Sequence, residues 1–167
     1  MPAPKQLEKL IAIAGMALVL STGSLYAAEQ ATHKHGHEHA SAPASMTLNE
    51  GKKWGTDEAL RKGMENIRNL MDASLHQIHE NKLSNAGYAA LARKLNDEVG
   101  GIVTNCKLDP KADAQLHLVI ADIADGIETM EGKAKKTKRQ SGAVKILGAL
   151  EKYSTHFDHP GWKAIKH

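Results

Sequence analysis

With a single cysteine, Cys106, in 167 residues, the chain cannot close an internal disulfide. That leaves Cys106 as a buried thiol, half of an intermolecular bridge or a metal ligand, and it leaves packing to supply the stability. Aromatic residues make up only 4% of the chain and the formal net charge is +3. Neither a base-stacking surface nor a strongly basic face is on offer, so nucleic acid is not an expected partner. Nucleophile elbow, phosphate loop and H-E-x-x-H are all missing. The Glu-x-x-His pairs that build di-iron bundles are missing too. An enzyme is therefore not expected, and no alternation of apolar and polar residues competes with the helical pattern.

The N-terminus carries Lys5 and Lys9, an apolar run from Leu10 to Leu20, and a small-residue end at Tyr26-Ala27-Ala28. This is the pattern of a cleaved signal peptide over residues 1–27, which predicts a periplasmic or secreted protein. The run falls short of the about 20 apolar residues of a membrane span, so no permanent anchor is expected. Removing residues 1–27 takes Lys5, Lys9 and Glu8, a net +1, and lowers the formal charge from +3 to +2.

Residues 28–55, rich in Ala, Ser, Thr and His, read as a flexible tail. Within it His33, His35, His37 and His39 stand at every second position, with Gly36 among them. In an extended chain that spacing places the four imidazoles on one side, and Gly36 lets the backbone fold them around one ion. Neutral imidazole suits copper, zinc and nickel. The other reading of the same segment is a solvated linker.

Residues 56–167 read as four amphipathic helices. The first is capped by Thr56 and carries Leu60, Met64, Ile67, Met71, Leu75 and Ile78, stepping by three and four. The second begins at Ser84 or Asn85 and carries Tyr88, Ala92, Leu95, Val99, Ile102 and Cys106. Gly100 and Gly101 either weaken it or admit a close neighbour. Asp109 as N-cap and Pro110 as first residue start the third, which carries Leu116, Val119, Ile120, Ile123, Ile127 and Met130 on one face and runs to Glu131 with Gly132 as its C-terminal cap. The fourth starts near Ser141, carries Ile146, Leu150, Tyr153 and Phe157, and is ended by Pro160 and Gly161. Short connections make neighbours antiparallel, so the expected fold is an all-α, up-down-up-down four-helix bundle.

This topology collects Trp54, Cys106, His117, His156, His159 and Trp162 at one end, the end of the Cys106–Pro110 corner. The two tryptophans are expected to close the core there beside Leu108 and Pro110. A Cys and His set at that end offers zinc or copper ligands, joined by the tail if it folds back. Helical phase places Cys106 on the apolar stripe, and His117 and His156 roughly 110° and 120° from theirs. Cys106 then reads as the last core rung of its helix, and His117 as a partner for Asp113 one turn earlier. His76 and His79 lie on the order of 30 Å away and cannot join the set. At the far end the basic loop 133–139 is either solvated or a docking patch for an acidic partner protein or lipid. Leu118, opposite the main stripe of its helix, hints at a further contact surface.

The stretches Gly63-Met64-Glu65-Asn66-Ile67 and Glu151-Lys152-Tyr153-Ser154-Thr155-His156 resemble the ligand-bearing ends of the soluble periplasmic b-type cytochromes, which are four-helix bundles. The resemblance implies non-covalent haem b held between Met64 and His156 and an electron-transfer role. Covalent attachment is excluded, since there is no C-x-x-C-H. The corner from Asn105 to His117 is similar to a segment of small uncharacterised exported proteobacterial proteins, which implies a shared fold. The leading expectation is a non-catalytic metal-binding protein of copper, zinc or nickel homeostasis. Haem electron transfer and an adaptor or chaperone role are the alternatives.

Overall fold

The computed structural model describes residues 45–166. It contains four helices, α1 (Glu58–His79), α2 (Asn85–Asn105), α3 (Pro110–Glu131) and α4 (Arg139–His156). Each packs on its chain neighbour and α1 also packs on α4, which closes the ring of a four-helix bundle. The antiparallel course shows in the hydrogen bonds between ends. Trp54 N–H, just before α1, donates to the His156 carbonyl at the end of α4. At the other end Gln140, in the first turn of α4, donates to the Ile78 carbonyl near the end of α1. Among the described residues there is no strand, only isolated bridges between Asn49 and Lys52 and between Trp54 and Phe157.

The stripe expected of α1 is buried in full, from Leu60 to Ile78. Burying such a side chain is worth roughly 1.5–3 kcal/mol, which is why the spacing of apolar residues holds the helix in place. In α2 the core side is Tyr88, Leu91, Ala92, Leu95 and Ile102. The cap at Asp109, with Pro110 behind it, and the left-handed Gly132 at φ 83° stand where the residue types put them.

Besides the end of α2 at Asn105, four boundaries differ from the sequence reading. The cap of α1 is Asp57, whose carboxylate accepts the Leu60 N–H, while the Thr56 hydroxyl is spent on the Asp158 carbonyl. α4 begins at Arg139, ahead of Ser141, and Lys138 at its cap makes no side-chain bond. At its other end α4 stops at His156, because Phe157 turns extended and its neighbour Asp158 donates to the Trp54 carbonyl. The fourth difference is the folded start. Residues 45–57 cross the bundle end as a strap, with Trp54 buried and its indole N–H donating to the Thr47 carbonyl. Thr47 N–H in turn reaches the Gln115 side chain of α3.

Candidate functional site

Asp57 organises the corner end. Beyond capping α1 it accepts the Lys107 N–H from the α2–α3 corner and the Cys106 thiol. Partial burial pushes its carboxyl up, but the Lys107 and Leu60 N–H groups, the thiol and the Arg61 charge outweigh that and hold its pKa below the ordinary carboxylate value. A cap of this kind is worth about 1 kcal/mol, and here the same carboxylate also ties α1 to the corner.

Cys106 does not lie within α2. It is the residue after the helix end, with extended backbone, half-buried and packed against the core rim. Desolvation, the negative charge of Asp57, the hydrogen bond to it and the more distant Asp113 push the thiol up to about 12. A metal ligand must be thiolate, and two carboxylates oppose that charge here. The helical phase that made Cys106 the last core rung of α2 holds in part: its N–H still donates to the Ile102 carbonyl and its side chain packs against the core, but its backbone is already extended.

His117 shares a groove of about 190 Å³ with Cys106, Asp113, Ile102 and Leu116. Its ring is exposed, with Nδ1 2.9 Å from the Asp113 carbonyl and 3.4 Å from the Asp113 carboxylate, so the expected local pair is present. His156 is half-buried and holds Nδ1 2.8 Å from the Lys152 carbonyl. His159 sits in a ring cluster. Its Nδ1 is 2.9 Å from the Tyr153 hydroxyl, and its ring lies 5.0 Å from Trp162 and 5.8 Å from Tyr153. Desolvation and then Arg61 lower the His159 pKa, against the smaller opposing effects of Glu65 and Asp158.

Among the described residues no three His, Cys, Asp or Glu side chains converge as a ready metal cage. Cys106 and His117 share one groove, and His156 and His159 lie at the α4 end with their Nδ1 atoms committed to different partners. The tail residues His33, His35, His37 and His39 lie outside the described residues. His76 and His79 are exposed at the far end, His76 with Nε2 3.4 Å from Glu80.

Met64 is completely buried in α1, while His156 keeps exposed surface and folds its ring back along α4. Neither the groove of Cys106 and His117 nor that of Trp54 at this end is lined by both. The tryptophans divide the roles expected of them. Trp54 lines a groove of about 280 Å³ with Leu108 and Asp57, and Trp162 meets Tyr153 edge-on at 5.1 Å. Pro110 is exposed. Leu118 is half-buried, and among the described residues the exposed large apolar side chains are Leu48, Val103 and Val144.

The Asp57 hub and the Tyr153–His159–Trp162 cluster escaped sequence reading. Each depends on residues brought together by the closed bundle. The one available signal was Asp57 next to Thr56, two cap-forming residues in a row. Among the described residues no helix is long and apolar enough to cross a membrane. No family model matches the chain, and neither the curated proteins nor the solved structures include one similar to it.

Proposed function

We propose that this chain is an exported, non-catalytic protein that binds a transition metal ion, copper, zinc or nickel, as a buffer, sensor or delivery protein. The observation that carries the reading is the run of four histidines at alternate positions, His33, His35, His37 and His39. Export is the reading of the N-terminal charge and apolar pattern, and it places the tail where free imidazoles meet external metal.

The folded part supports the reading through the tautomers of two histidines. His117 and His156 each hold Nδ1 against a backbone carbonyl, which accepts only from a protonated nitrogen. In the neutral ring the lone pair is then on Nε2, the arrangement that metal-ligating histidines use. Each offers one ligand. Among the described residues neither is part of a cage, and the reading assigns tight binding to the tail.

Calorimetric titration of the full chain with Cu(II), Zn(II) and Ni(II) tests this. Replacing His33, His35, His37 and His39 by Ala is expected to weaken the tightest site at least about tenfold, 1.4 kcal/mol. Binding is also expected to fade as pH falls below about 6.5, where free imidazole protonates. Unchanged affinity in the tail variant overturns the proposal.

A further inference from the structure

The loop that joins α3 to α4 breaks local rules in three places. Lys136 adopts φ 64°, a left-handed conformation that side-chain-bearing residues rarely take. Lys138 occupies the cap of α4 without a side-chain cap bond, although Ser, Thr, Asp and Asn are the residues that stabilise that position. Lys138 and Arg139 also place positive charge at the positive end of a helix dipole. Where a sequence departs from what its own fold favours, a function is the first explanation to test.

Charge singles out the same segment. Residues 131–139 hold four Lys and one Arg against Glu131, a net +4, whereas the whole chain is +3. The rest of the molecule is therefore net −1. Two of these cations serve the fold, Lys133 paired with Glu131 at 2.6 Å and Arg139 donating to the Met130 carbonyl. Lys135, Lys136 and Lys138 are exposed, and no carboxylate partner stands by them among the described residues.

We infer that this end of the bundle is a docking surface for a bilayer carrying anionic phospholipid headgroups. A protein partner needs a desolvated apolar anchor at the centre of its interface, and Ala134 is the one apolar side chain in residues 131–139. Lysine predominates over arginine, and its ammonium acts as a compact point charge with no fork to match to one carboxylate. Point charges on flexible stems, at the tip of a bundle in which no described helix is long and apolar enough to cross a membrane, suit a diffuse anionic plane. The contact is peripheral and sensitive to salt.

Sedimentation of the full chain with phosphatidylcholine vesicles, with and without phosphatidylglycerol, is the test. The readout is the ratio of binding to anionic and to neutral vesicles, so that any lipid affinity of the apolar N-terminus cancels. At about fivefold per lysine, K135Q/K136Q/K138Q is expected to lower that ratio on the order of a hundredfold. The control K94Q/K111Q/K163Q removes the same charge elsewhere and should leave the ratio within about twofold of the parent value. Melting curves confirm that both variants fold. A ratio insensitive to the loop lysines, or lowered equally by the control, overturns the proposal. So does binding to poly-glutamate, dependent on the loop lysines, with no preference for anionic vesicles, which assigns the loop to an acidic polypeptide instead.

Discussion

Asp57 accepts hydrogen bonds from the first turn of its own helix and from Lys107, 50 positions along the chain. Its neighbour Thr56 has equal standing as a cap by residue type, and only the arrival of Lys107 and Cys106 on one side and Asp158 on the other separates them. His159 is set by the same kind of convergence. Its folded pKa lies below the ordinary histidine value through desolvation and Arg61, so between that lowered value and about 6.5 the unfolded chain binds more protons than the folded one. The stability it contributes is complete above about pH 6.5 and is lost as pH falls through the folded value. His159→Phe keeps a ring beside Trp162 but removes the titration. Urea unfolding at a series of pH values should show the parent losing stability on acidification through this window, with a shallower slope in the variant.

At the scale of elements, α3 and α4 approach closely where Gly126 faces Gly142. A methyl added at Gly126 would stand 2.8 Å from the Gly142 carbonyl oxygen, and one at Gly142 would stand 2.9 Å from both the Met130 nitrogen and the Thr129 Cβ. Backbone atoms cannot rotate aside. Overpacking of this kind costs about 1–3 kcal/mol, more than the gain of up to about 1 kcal/mol from replacing a helical glycine by alanine. Gly142→Ala is therefore expected to destabilise the protein by about 1–2 kcal/mol. Gly148→Ala, in the same helix with nothing within 4 Å, should stabilise it by up to about 1 kcal/mol. Urea midpoints moving in opposite directions check both. Gly100 and Gly101 also face open space, so the close approach that a glycine pair suggests in α2 occurs between α3 and α4 instead. Periodicity located the stripes of all four helices because it depends only on 3.6 residues per turn. It could not say which small residue a neighbouring helix would press against.

Across the whole molecule the strap ahead of α1 belongs to the bundle. Trp54 pairs its backbone with His156 and Asp158 and buries its ring against the core. A chain of residues 56–167 should be less stable than one of residues 45–167 by about 3–5 kcal/mol, the usual loss when a buried tryptophan is removed, as measured by thermal or urea unfolding. The composition of that stretch resembles a tail, and the single buried ring within it changes its role.

The sequence by itself determined the helix count, the stripes that face inward, and the caps at Asp109 and Gly132, because each rests on residues within one or two turns of one another. It also carries the four tail histidines and the concentration of positive charge in residues 131–139. Tertiary structure decided which of two adjacent cap residues starts α1, where α4 begins and ends, and that Cys106 donates to a carboxylate outside its helix. It also separated His117, His156 and His159 onto different partners. Those outcomes depend on hydrogen bonds and burial between segments distant in the chain, and no local pattern encodes them.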